Sequence, residues 1–224
     1  METVLRHPYP GIGKASFGTS GGDQRRLSSA VLCRCGCGPV AALDLVRYLH
    51  FYCPDCESSF FDGIPGEIWL PLPVYELCLS RISRRFVPVT PPVGTNPPAL
   101  AAGLNRYFRT YDLPLRASWQ FGSDFEEQAE KMLAHDLPVI LSIGRPVKSL
   151  LRNPKLGLYT APVFTGHPAA TVNSHFLTLL GMDDQWLQVA SWGRRYWLQR
   201  QELARYRKAE SVSFLCGIVA LRER

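Results

Sequence analysis

Five of the seven cysteines of this 224-residue chain fall between Cys33 and Cys56, a density that suits thiol chemistry or metal binding better than a disulfide framework. The segment Cys35-Gly36-Cys37-Gly38-Pro39 leads directly into an apolar run from Val40 to Leu49. Apolar on nearly every face, that run predicts a buried helix with Pro39 in its first turn. A thiol at such a helix start meets main-chain amides and the positive end of the helix dipole, which stabilise the nucleophilic thiolate. The flanking glycines leave room for a substrate backbone to approach the sulfur. Cys37 is therefore the candidate nucleophile. Cys35, two residues earlier, is its rival, because spacing alone does not fix which residue caps the helix.

A nucleophilic thiol needs a base. Asn173-Ser174-His175 precedes Phe176-Leu177-Thr178-Leu179-Leu180, so His175 opens a predicted strand that ends in a Gly181 and Asp183 turn. An imidazole brought within hydrogen-bond reach of the thiol can take its proton. Considered without Cys37, His175 reads as a structural histidine, since separation along the chain says nothing about proximity in the fold. His7, His50, His135 and His167 have no flanking pattern that suggests a role.

Other constellations compete. Cys33, Cys35 and Cys37 with Cys53-Pro54-Asp55-Cys56 offer thiolates for a zinc ion; against this, Cys-x-Cys spacing is less common for one zinc, and a buried helix lies between the groups. Cys53 and Cys56 also read as a redox pair, without the βαβ pattern of a thioredoxin around them. Cys78 and Cys216 lie in apolar stretches and read as core fillers. The fragment from Gly11 to Ser16 fails as a phosphate loop, because Pro8 stands where a glycine is needed.

The elements that must position these groups follow from periodicity. Residues 1–30, rich in Gly, Ser and Pro, predict an arm lying over the domain. Helices are expected from Pro39, over Val74 to Phe86 with Leu77, Ile82 and Phe86 facing inward, and over Leu100 to Tyr111. Ser123-Asp124-Phe125-Glu126 reads as a capping box opening a short helix to Ala134. Strands are expected over Leu137–Ile143, Phe176–Met182, Trp186–Trp192 and Ser213–Leu221. Helices first and a largely antiparallel sheet second make the class α+β. The reading is one domain over 1–224: an arm (1–30), a mainly helical lobe (31–112) and a mainly β lobe (113–224). The stretch from Pro88 to Pro98 is a connection and the candidate lobe boundary.

Composition bounds the function. With 46% apolar and 20% charged residues and no apolar run of membrane-spanning length, the chain reads as an ordinary globular protein. No apolar stretch in the first twenty residues would form the core of a secretory signal, so the expectation is cytoplasmic. The formal charge of +6 is spread over separate short clusters, which does not make a nucleic-acid footprint.

The string Cys37-Gly38-Pro39-Val40-Ala41-Ala42-Leu43 resembles the Cys-Gly-Pro-x-x-x-Leu helix start of papain-fold cysteine peptidases in the bacteriocin-processing, double-glycine-cleaving branch. His175 to Asp183 is similar to that branch's His-x-x-x-x-x-Gly-x-Asp stretch, and Ala190-Ser191-Trp192-Gly193 to its Asp-Pro-Trp-Gly or Asn-Ser-Trp-Gly strand end. Leu133 to Ile140 resembles the helix-to-strand step that precedes the histidine. The resemblance runs in order over most of residues 35 to 220. It implies a papain-like fold with a helical N-terminal lobe and an antiparallel β C-terminal lobe, with Cys37 as nucleophile and His175 as base. The implied activity is a cysteine peptidase-like thiol hydrolase acting on an amide or related acyl bond, with a peptide or other acyl substrate and neither cofactor nor metal.

Two positions depart from the pattern. The imidazole-orienting Asn or Asp of the family falls on Ala190, which cannot serve, leaving Ser191 or a backbone carbonyl to substitute. The oxyanion-hole glutamine, some six residues before the nucleophile, falls near Leu32; Gln24 is the only glutamine upstream of Cys37. These departures keep two alternatives open: a catalytically inactive papain-fold binding module, and a zinc-stabilised interaction domain. The connection from Gly144 to Asn173 is expected to border the cleft as a substrate-selecting loop.

Overall fold

The structure, a computed structural model, describes residues 2–13, 19–148, 151–163 and 166–224. Among these residues the helices in chain order are α1 (Ala30–Cys35), α2 (Cys37–Tyr52), α3 (Leu72–Arg85), α4 (Pro97–Thr110), α5 (Phe125–Ala134) and α6 (Arg200–Ala209). The strands are β1 (Thr3–Val4), β2 (Gly11–Ile12), β3 (Trp69–Leu70), β4 (Leu115–Gln120), β5 (Val139–Ile143), β6 (Leu156–Leu158), β7 (Ala170–Val172), β8 (His175–Met182), β9 (Trp186–Ser191), β10 (Arg194–Gln199) and β11 (Gly217–Glu223). Contacts within the chain group these elements into two compact units. Lys14 to Ser16 of the segment weighed as a phosphate loop, and residues 149, 150, 164 and 165 of the Gly144–Asn173 connection, lie outside the described residues.

One unit is mainly helical and comprises His7–Trp119, Trp192–Arg194 and Leu221–Arg224. Its centre is α2, in which every residue from Gly38 to Leu49 is buried. Helices α3 and α4 pack against it. Burial of Leu43, Leu45 and Leu49 contributes about 1.5–3 kcal/mol each. On α3 the buried residues Tyr75, Cys78, Leu79 and Ile82 follow the i, i+3, i+4, i+7 spacing of one helical face. The expectation that Leu77 faces inward is therefore corrected: it lies off that stripe and is 56% exposed, whereas Ile82 and Phe86 are buried. The Pro88–Pro98 stretch joins α3 to α4 inside this unit. Phe86 packs edge-on against Tyr107, with ring centroids 5.3 Å apart.

The other unit, residues through Arg6 with Gln120–Ser191 and Arg195–Ala220, is built on an antiparallel sheet. Its strands run in the order β10-β9-β8-β5-β11. β8 is the pivot: β5 pairs with it from His175 to Leu179, and β1 takes over at Gly181 and Met182. From Phe176 to Met182 β8 is buried throughout, the expected texture of a strand covered on both faces. The helix before β5 starts one residue later than a capping box would require. Its N-cap is Asp124 without a side-chain cap, and Ser123 hydrogen-bonds Asp124 instead. Glu126 pairs with Arg200, whose Nε lies 3.0 Å from Oε2. A tertiary ion pair has displaced the local cap. The molecule thus combines helices with an antiparallel sheet. Among the described residues, no helix is long and apolar enough to cross a membrane.

Candidate functional site

Cys37 is the first residue of α2 and is partly exposed. Its position depends on Gly36, which ends α1 and starts α2 at once. The Gly36 N–H donates to Leu32 O (2.8 Å) while its carbonyl accepts from Val40 N–H (3.0 Å). A Cβ at Gly36 would lie 2.3 Å from Leu32 O, so only glycine fits this close junction of the two helices. Cys35 is the last residue of α1, at the opposite polarity of a helix end, with its Sγ 3.4 Å from Pro92 O. Of the two rival thiols, Cys37 has the anion-stabilising position.

Two turns along the same face of α2, Asp44 anchors the chain that precedes α1. Its carboxylate accepts from Gly22 N–H (2.7 Å) and from Tyr75 Oη–H (2.9 Å). Burial pushes its pKa up to about 6, against the opposing pull of the Gly22 amide, Arg47 and Tyr75. Gly22 is required for this approach, since a Cβ there would meet Tyr75 Oη at 2.0 Å. Arg47, also buried, donates to the carbonyls of Gly11 (3.2 Å), Glu67 (3.1 Å) and Ile68 (2.7 Å). Sequence reading passed over Asp44 and Arg47. The signal was present as two charges inside an otherwise apolar helix, where charge is tolerated only if partnered.

Gln24, weighed as an oxyanion-hole group, is buried, and its Nε2 donates to Cys33 O (3.1 Å), with Arg34 O at 3.5 Å. Its amide ties the arm to the end of α1. Arg25 pairs with Asp23 (2.9 Å), donates to Trp192 O (3.2 Å) and stacks over the Trp192 ring at 5.0 Å. Gly193 exchanges main-chain hydrogen bonds with Ser20 and Gly22 (3.1 and 3.0 Å). Trp192 and Gly193 both have positive φ, 48° and 71°, as a two-residue type I′ hairpin turn demands.

In the β-rich unit His175 opens β8, following Ser174 in the left-handed region at φ 49°. Its Nε2 lies 2.9 Å from Ser191 Oγ. The register of β8 on β9 pairs Thr178 with Ala190. Thr178 is an odd number of residues from His175, so strand alternation puts Ala190 on the sheet face opposite to the imidazole. Ser191, one residue on, shares the face of His175. Ala190 is buried.

No disulfide joins any of the seven cysteines. Among the described residues, no group of three or more His, Cys, Asp or Glu side chains is placed to hold a metal ion. The 16 residues of α2 separate Cys37 from Cys53 by about 24 Å at 1.5 Å per residue, so these two thiols do not meet at one point.

No family model matches the sequence, and no curated protein matches it. Among solved structures, the chain is similar to one described as a "putative C39-like peptidase from Bacillus anthracis". The identity is 13%, the similarity covers 99% of this chain and 98% of that chain, and the TM-score is 0.47.

Proposed function

We propose that the chain is a papain-like thiol hydrolase of the cysteine-peptidase type, cleaving an amide or related acyl bond with Cys37 as nucleophile, His175 as base and Ser191 as the group that orients the imidazole. The hydrogen bond between His175 Nε2 and Ser191 Oγ (2.9 Å) carries this reading, because it supplies the function that Ala190 lacks. Support also comes from the place of Cys37 at the head of a buried helix and from the two sequence motifs.

With Nε2 held by Ser191, Nδ1 is the nitrogen that moves the proton. Cys37 Sγ–H gives its proton to Nδ1, and the thiolate attacks the acyl carbon to form a tetrahedral intermediate. The imidazolium then protonates the leaving amine as the C–N bond breaks. A thioester remains on Cys37. Water, deprotonated by Nδ1, attacks it and releases the acid and the thiol. The mechanism requires the two side chains to meet within hydrogen-bond reach.

A thiol-directed alkylating probe at neutral pH tests it. Cys37 is expected to label fastest of the seven cysteines, and His175→Ala is expected to abolish that advantage. Sluggish and equal labelling of all accessible cysteines overturns the reading. In that case the inactive binding module is favoured, an alternative consistent with the Gln24 amide being engaged by α1 carbonyls.

A further inference from the structure

We infer that Cys53 and Cys56 form a reversible dithiol–disulfide pair, a modification site at the end of α2 remote from Cys37. The two Sγ atoms are in hydrogen-bond contact at 2.8 Å. The backbone independently favours closure. Cys56 N–H donates to Cys53 O at 2.9 Å, a turn that brings the Cα atoms within about 7 Å, the upper reach of a disulfide. Pro54, first residue of the intervening 3-10 turn, fixes one backbone torsion there. The turn is moored on both sides: Cys53 N–H donates to Leu49 O (2.9 Å) and Ser58 N–H to His50 Nδ1 (3.0 Å).

The pair is asymmetric. Cys53 is partly exposed, whereas Cys56 is fully buried, and burial raises its thiol pKa. The first attack therefore belongs to Cys53. Its thiolate displaces one half of a small-molecule disulfide such as oxidised glutathione, giving a mixed disulfide and one released thiol. Cys56 then attacks the Cys53 sulfur, the Cys53–Cys56 bond forms, and the second small thiol leaves. The protein loses two electrons, the small disulfide gains them, and the two protein-thiol protons end on the released thiols.

The other cysteines outside the proposed active site are differently engaged. Cys33 Sγ lies 3.8 Å from Arg25 O, Cys35 Sγ 3.4 Å from Pro92 O, and Cys216 Sγ accepts from Gly144 N–H at 3.2 Å. Cys78 is buried within α3. The length of α2 keeps the pair away from Cys37, so oxidation here leaves the helix start undisturbed.

The test equilibrates the full chain in glutathione buffers from fully reduced to fully oxidised, followed by acid quench, alkylation and peptide mass mapping. The expected result is that Cys53 and Cys56 lose alkylation together, with loss of two hydrogens from one cross-linked peptide, and that dithiothreitol reverses it. Phenylarsine oxide, which bridges neighbouring thiols, is expected to bind one per chain and to block both alkylations. Cys56→Ser is expected to stop at the mixed disulfide on Cys53 and to lose arsenical binding. Because that variant puts a hydroxyl at a fully buried position and risks misfolding, the wild-type mapping decides alone. Cys53 and Cys56 remaining alkylated in fully oxidised buffer, or oxidising independently of each other, overturns the inference.

Discussion

Ser191 Oγ stands 2.9 Å from Nε2 of His175, one residue beyond the alanine onto which family resemblance would place an orienting group. In this geometry the hydroxyl engages one of the two ring nitrogens, Nε2. A hydroxyl stabilises an imidazolium less than a carboxylate does and, being both donor and acceptor, it restrains the ring angle without choosing the tautomer.

Ser191→Ala is expected to lower the rate of Cys37 alkylation at neutral pH about tenfold, equivalent to about 1.4 kcal/mol. Ser191→Thr keeps the hydroxyl and is expected to retain most of the rate. Both are read from labelling rate against pH, with far-ultraviolet circular dichroism as the control for folding. An unchanged pH profile in Ser191→Ala removes the orienting role.

Asp44 imposes a pH dependence on stability whose sign follows from its pKa. The carboxyl group rises from 3.8 to about 6 in the folded chain, so the native state holds this proton more tightly than the unfolded state. Its favourable contribution is complete below pH 3.8 and is lost as pH rises through about 6, a change of about 3 kcal/mol. Asn at this position can accept from Gly22 and donate to Tyr75. Asp44→Asn is therefore expected to remove this part of the pH dependence. Urea denaturation of both proteins from pH 4 to 7 should show wild type losing about 2 kcal/mol relative to the variant. A constant difference across that range contradicts the assignment.

Gly36→Ala places a methyl carbon 2.3 Å from Leu32 O. Main-chain atoms cannot yield as a flexible side chain would, so the α1–α2 junction must open. A loss of about 1–3 kcal/mol is expected, with slower alkylation of Cys37 because the thiol leaves its place at the helix start. Gly66→Ala, where a Cβ meets nothing within 4 Å, is the control and is expected to be near neutral in both measurements.

Gln24→Ala separates a structural amide from an oxyanion donor. Loss of the bond to Cys33 O is expected to cost about 1 kcal/mol of stability and to change hydrolysis of an activated acyl substrate by less than about tenfold. Removing a true oxyanion-hole donor would lower turnover by about 10²–10³. Denaturation midpoint and turnover, measured on the same preparation, distinguish the two.

The sequence by itself determined the local chemistry. A Gly-Cys-Gly-Pro junction followed by a mostly apolar run makes a helix that must be buried, and it puts Cys37 at that helix's positive end, because glycine and proline constrain the backbone locally. The same holds for His175 at the start of a β8 that could only be an interior strand. Tertiary structure decided the partners. Whether Ala190 or Ser191 shares a face with His175 depends on the pairing of Thr178 with Ala190, and strand register is a property of two distant segments, in which a one-residue slip exchanges the faces. Glu126, locally suited to a helix cap, was drawn to Arg200, and Gln24 to the carbonyl of Cys33. Asp44 is held by Gly22 and Tyr75. In each case a polar side chain chose among competing partners, and that choice depends on packing that brings remote residues within 3 Å or so, the range over which a hydrogen bond has its strength.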